Sequence, residues 1–311
     1  MTLFSSTINQ LAFLFSFIAI GFLLTKSRII PPDSATVLAK LENTVFVPAL
    51  ILDTFVNHFT FEKLEYARAL LLISTAIMAV TTVLAILFSK CLTANTYLRN
   101  IFTYGLAFSN FGFMGNAVVS ALFPDMFLEY LLFTLPLWFL LYLWGVPNLL
   151  IAKTDGKITL KERLQNLFNP MFVAVLVGVI LGLTALPLPT FVTTVFSAGS
   201  SCMSPVAMLL TGMAISQIDV KRTFSQWQIY AVSLIRLVVF PLLFVAASLL
   251  IPFDKTVYIS ALCLLSMPLG LNTIVIPSAY GRDTSVAAGM TVVSHLMSCF
   301  SIPLIFTFIS V

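Results

Sequence analysis

Residues 98–123, LRNIFTYGLAFSNFGFMGNAVVSALF, and residues 256–280, TVYISALCLLSMPLGLNTIVIPSAY, decide the fold. Each is long enough to span a bilayer, since roughly 20 mostly apolar residues rising about 1.5 Å apiece cross a hydrocarbon core about 30 Å thick. Each is also interrupted midway: by Asn110, Gly112, Gly115 and Asn116 in the first, and by Pro268, Gly270 and Asn272 in the second, with Pro277 beyond. Proline removes a backbone donor and clashes with the preceding turn, while glycine tolerates unwound dihedrals. Both stretches are therefore predicted to be broken helices. Unwound backbone at bilayer depth is tolerated only where its N–H and C=O groups face protein, a polar cavity or a ligand. Half-helix N-termini offer donors and a positive dipole end, which suits an anion. The alternative reading makes the glycines close-packing positions and the prolines relieved kinks.

The rest of the chain makes a bilayer the expected solvent. Of 311 residues, 59% are apolar and only 9% are Asp, Glu, Lys or Arg, too few to cover a water-soluble domain of this length. The net charge of +4 is scattered between apolar runs rather than gathered in a stripe, so no nucleic-acid partner is expected. Cys91, Cys202, Cys263 and Cys299 show no CxxC spacing and predict neither a disulfide framework nor a metal site. Ten stretches qualify as spans: 7–25, 36–56, 67–89, 98–123, 127–152, 168–187, 190–216, 227–251, 256–280 and 284–309. Continuous apolar runs of this length predict helices, because barrel strands would be about 10 residues long with strict alternation. The first run has no Lys or Arg before it and no small-residue cleavage site after it, and reads as a retained span.

The loops fix an orientation. Lys26, Arg28, Lys40, Lys90, Arg99, Lys153, Lys157, Lys161, Arg163, Lys221, Arg222 and Arg282 lie in or near the loops after spans 1, 3, 5, 7 and 9, whereas the opposite side holds Lys63, Arg68 and Lys255. The positive-inside rule places both termini outside and the loop KTDGKITLKERLQN (153–166) in the cytoplasm. One constant offset sets Pro48 on Pro205, Ser109 on Ser266 and Gly21 on Gly178, which predicts two repeats, residues 1–155 and 156–311. Five spans is an odd number, so the second repeat enters the membrane inverted, as in secondary transporters that alternate between two states of comparable energy.

Few ionisable groups lie within the spans, and each is costly unless it faces a cavity or a partner. Glu42, Asp53, Arg236 and His295 are these groups. Glu42, Arg236 and His295, with the helix-bending Pro48 and Pro205, are candidates for coupling or for lining the site. Arg236 needs a counter-charge or carbonyl ligands, and serves structure or anion attraction. His295 either passes protons or is hydrogen-bonded structure. Gly178 and Gly182 form a small-xxx-small face for helix packing. No Ser-His-Asp spacing, HExxH, phosphate loop or intramembrane aspartate pair points to an enzyme or an ATP-driven pump. No cofactor is expected.

NPMFVAVLVGVILGL (169–183), SPVAMLLTGMAI (204–215), LVVFPLL (237–243) and the paired interruptions resemble the auxin efflux carrier family, which includes plant PIN proteins and bacterial carriers of malate, malonate and other organic anions. The resemblance covers nearly the whole chain. It implies an all-α polytopic membrane protein of ten helices in two inverted five-helix repeats, with crossing broken helices 4 and 9 around the substrate. It further implies a scaffold of helices 1, 2, 6 and 7, a transport domain of helices 3–5 and 8–10, a homodimer, and a distant similarity to bile acid sodium symporters. Carried over by position, Gly115, Asn116, Pro268 and Asn272 are crossover residues, and Asn110, Gly112 and Gly270 complete the expected substrate site. Where family members often carry proline, this chain has Ala117, so its first break rests on Gly112 and Gly115. The long hydrophilic loop of many plant members is missing, which favours a prokaryotic type in the cytoplasmic membrane. The expected function is elevator-type secondary transport of a small organic anion, with a proton or sodium as coupling ion. Alternatives are a sodium-coupled symporter of an amphipathic anion and a non-transporting receptor.

Overall fold

The computed structural model describes residues 3–31, 33–151, 159, 164, 167–217 and 226–309. The basic residues Lys153, Lys157, Lys161, Arg163, Lys221 and Arg222, on which the orientation partly rests, lie outside the described residues, as does the boundary between the expected repeats. The helical segments are α1 (Leu3–Lys26), α2 (Ser34–His58), α3 (Glu62–Leu92), α4 (Thr96–Ala107), α5 (Phe111–Leu122), α6 (Pro124–Ile151), α7 (Pro170–Thr184), α8 (Thr190–Ser216), α9 (Trp227–Ser248), α10 (Lys255–Ser266), α11 (Asn272–Ala279) and α12 (Ser285–Phe306). Among the described residues, seven of them (α1, α2, α3, α6, α8, α9 and α12) are long and apolar enough to cross a membrane. The expected ten spans differ from these seven at three places: 98–123 is divided into α4 and α5, 256–280 into α10 and α11, and α7 is a helix of 15 residues.

One helix shows a burial pattern inverted relative to a soluble bundle. On α3 the buried stripe is Ala67, Leu70, Ser74, Met78, Thr81, Ala85 and Ser89, rich in small and hydroxyl residues, while Leu64, Leu72, Val80, Val83 and Leu87 point outward. Lipid is as apolar as leucine, so burying leucine gains little there, and small residues that let backbones approach take the interface. Glycine sets two such approaches. A Cβ on Gly212 of α8 would strike the Ile18 carbonyl of α1, and one on Gly182 of α7 would meet the Phe55 and Phe59 carbonyls on or beside α2. Gly178, one turn before Gly182, packs on the Phe55 ring, as expected of a small-residue face.

Prolines shape two rods. In α2 the turn Glu42–Phe46 widens to a π-helix, the Val47 N–H reaching back to the Glu42 carbonyl, immediately before Pro48. In α9 the turn Ile235–Val239 does the same before Pro241. An extra residue in the turn relieves the clash between a proline ring and the carbonyl four residues earlier. Pro205, by contrast, sits within α8 without interrupting its α-helical course.

Candidate functional site

The helical ladder stops at Ala107 and again at Ser266. Phe108 (φ −115°, ψ 102°) and Met267 (φ −73°, ψ 144°) are extended, and the two unwound stretches lie against each other. Ser109 and Leu269 form an antiparallel bridge, and the Asn110 N–H donates to the Pro268 carbonyl at 2.7 Å. Each break thus satisfies part of the other's freed backbone, as buried peptide groups require. Ser109 Oγ donates to the Leu264 carbonyl at 3.0 Å, and Ser294 Oγ of α12 accepts from the Leu269 N–H at 3.2 Å.

The C-terminal ends of α4 and α10 converge on one side chain. Arg236, on the π turn of α9 and 1% exposed, donates from Nη1 to the Leu106 carbonyl (2.9 Å), from Nη2 to Leu264 (2.8 Å) and from Nε to Met267 (3.3 Å). Last-turn carbonyls have no intrahelical partner and form the negative end of the helix dipole. A guanidinium fanned over two such ends is paired with backbone rather than with a carboxylate. Arg236 therefore resolves in favour of carbonyl ligation and stays out of the cavity.

The N-terminal ends of α5 and α11 face the other way, into a cavity of about 200 Å³. Asn110, Phe111, Gly112 and Phe113 line it from one break, and Gly270, Leu271 and Asn272 from the other, with Asn116 one turn into α5. Beyond its chain neighbours and its own helix backbone, nothing lies within 4 Å of where a Cβ on Gly112 would stand, so this glycine leaves the helix start open to the cavity. Asn272 Nδ2 donates to Tyr104 Oη at 3.2 Å. Asn110 is held from behind by His295: Nδ1 of the buried ring lies 2.8 Å from the Thr291 carbonyl, which only accepts, leaving Nε2 to accept from Asn110 Nδ2 at 3.2 Å. The remaining walls are Asn43, Val47 and Phe55 of α2, Thr134, Trp138 and Tyr142 of α6, and Asn169 and Pro170 at the start of α7. Among the described residues, none that lines the cavity carries a formal charge. Among the described residues no group of three His, Cys, Asp or Glu is placed to hold a metal.

The sequence profile of the membrane transport protein family matches residues 6–163 and, a second time, residues 155–306. The chain belongs to this family, that of the auxin efflux carriers. It is a multi-pass membrane transporter built of helical segments, and the family profile fits it as two repeats. No individually curated protein matches the sequence.

Within this member of the family, the expected substrate-site residues fall into two groups. Asn110, Gly112, Asn116, Gly270 and Asn272 share the cavity. Gly115 and Pro268 stand behind it: a Cβ on Gly115 would strike Tyr130 Oη, which donates to the Phe111 carbonyl at 3.2 Å, and Pro268 supplies the carbonyl that Asn110 uses. Glu42, Pro48, Pro205, Arg236 and His295 are not part of the lining. Ala117, at the family's usual proline position, leaves the break intact, since the π turn Phe111–Gly115 precedes it; its carbonyl accepts from Gln10 Nε2 of α1 at 3.3 Å. Sequence reading did not find Asn43, Asn169, Tyr104, Trp138 or Tyr142. Asn169 carries a signal of another kind, that of a helix cap, its Oδ1 accepting from the Met171 and Phe172 N–H groups at 3.1 Å.

At the membrane edges, polar ties hold helices of the carrier together. Lys63 of α3 pairs with Glu129 of α6 at 2.9 Å. Asp254, just before α10, accepts from Tyr66 Oη at 2.6 Å and caps the helix by accepting from the Thr256 N–H at 3.0 Å. The Tyr66 hydroxyl in particular holds the Asp254 carboxyl below its ordinary range. At the other end of α3, Tyr97 Oη donates to the Asp283 carbonyl at 2.7 Å beneath the Arg282 guanidinium.

Proposed function

We propose that this carrier moves a small organic anion with an apolar body across the cytoplasmic membrane, holding it where the two breaks meet. One observation carries the reading: two half-helix N-termini open into a single uncharged cavity, while the matching C-termini are turned away onto Arg236. Each N-terminus acts as roughly half a positive charge with free N–H donors, enough to attract one carboxylate without a cationic side chain. Phe55, Tyr104, Phe108, Trp138 and Tyr142 supply apolar walls for the rest of the molecule.

In the same reading the chain comprises ten spans in two inverted repeats, near residues 1–155 and 156–311, with crossing breaks and both termini outside. The glycine-spaced pairs α1–α8 and α2–α7 form a scaffold, and α3–α6 with α9–α12 form the moving body. The contact from Gln10 to the Ala117 carbonyl spans the two and breaks during elevator movement. The test is thermal-shift screening of the purified protein against dicarboxylates, amino acids and indole acids, with and without sodium, followed by uptake into proteoliposomes. Saturable uptake of a monocarboxylate that falls on Asn116→Ala or Asn272→Ala is expected. Uptake unchanged in both variants overturns the site, and uptake that requires sodium replaces it with a symporter.

A further inference from the structure

Glu42 is completely buried, and neither Oε1 nor Oε2 has a hydrogen-bond partner. It opens the π turn Glu42–Phe46 of α2, and its chain neighbour Asn43 lines the cavity. Nothing in the fold demands a carboxyl there, because the offset that sets Pro48 on Pro205 puts Gly199 at the matching place in the second repeat.

Among the described residues, the elements packed on it offer no ion to pair with it. The turn packs against α7 and α8. α7 carries no titratable side chain, and α8 carries only Cys202, which is exposed. On α2 itself Lys40 and His58 are exposed, and half-buried Asp53 accepts from Asn57 at 3.1 Å. An ionised carboxylate left unpaired in such a place is far more costly than a neutral acid. A metal cation needs several oxygens around it, whereas a proton needs one.

We propose that Glu42 is a proton-binding site of the carrier: its carboxyl holds a proton between α2, α7 and α8 in this conformation and releases it when the adjoining cavity opens to water. The proposal rests on the reading of that cavity as the transport site. Protonation adds one hydrogen to one carboxylate oxygen, and release returns it to water with no other bond changed. The neutral acid still lacks a partner here, which marks this conformation as one of two between which the group is exchanged.

The test uses the full chain in phosphatidylcholine–phosphatidylglycerol vesicles. Infrared spectra at neutral pH are expected to show a carboxylic-acid carbonyl band that is lost in Glu42→Gln and displaced in Glu42→Asp. With the membrane potential clamped, an inward acid gradient is expected to speed uptake of labelled phenylacetate or indole-3-acetate above protein-free vesicles. Glu42→Gln, which mimics the protonated acid in shape, loses this acceleration. Spectra in which neither variant alters an acid band overturn the proposal, as does acceleration that survives Glu42→Gln. Should neither probe enter the vesicles, the monocarboxylate reading of the cavity fails, while the band still decides the state of Glu42.

Discussion

The two ends of each break are treated in opposite ways. Where α4 and α10 stop, their carbonyls are closed off by Arg236, Ser109 and the facing backbone. Where α5 and α11 begin, the N–H groups stand beside Gly112 and Gly270 at the wall of an open space. One interruption of the backbone thus yields a finished polar junction on one side and an unfinished one on the other. The first serves stability and the second serves a ligand, so variants at the two should fail differently.

The largest effect is expected at the closed side. Arg236→Met leaves the Leu106 and Met267 carbonyls without their side-chain donor and the Leu264 carbonyl with Ser109 alone, and at about 1–3 kcal/mol per unsatisfied buried group the protein should lose most of its folded yield in detergent, measured by size-exclusion profile and thermal melting. Arg236→Lys, a charge without the fork, should recover only part of it. Next comes Gly115→Ala, whose methyl meets Tyr130 Oη; overpacking of this kind costs about 1–3 kcal/mol and should lower the melting temperature, whereas Gly112→Ala enters open space and should leave it unchanged. Equal melting curves for these two alanines would erase the distinction between the faces of α5. At the open side, Asn272→Ala should weaken binding of the screened ligand by about tenfold, the worth of a hydrogen bond of about 1.4 kcal/mol, with little change in the melt of the free protein.

The smallest effect is at the membrane edge. Tyr66 holds the Asp254 carboxyl below its ordinary range, so this interaction contributes stability above the unfolded carboxylate pKa and loses it as pH falls through the depressed folded value. Tyr66→Phe should therefore lower the melting temperature slightly at neutral pH and not at all in strong acid. A penalty equal at both pH values would show that the tyrosine acts by packing alone.

Apolar helical segments and their interruptions were legible because hydrophobic length and the Gly, Pro and Asn breaks are local properties. The residues 109–116 mark the break, with Asn110 on the unwound stretch and Gly112 in the π turn that opens the next helix. The direction in which each group points was not legible. Arg236 reads equally as an anion receptor or a structural ligand until the carbonyl of Leu106, 130 positions away, is seen beside it. Tyr104, Trp138 and Tyr142 could not be told from packing or lipid-facing aromatics, since all three environments accept the same side chains. Asn169 serves as an N-cap and a wall at once, and only the first role leaves a mark on neighbouring residues.

The arginine staple also bears on how the molecule is made. The last turn of α4 emerges from the ribosome long before residue 236 exists, so its carbonyls must wait through half of synthesis for their permanent donor. The part of the chain before α9 is in that sense born incomplete, and a truncated chain ending there should be a substrate for membrane quality control rather than a stable fragment.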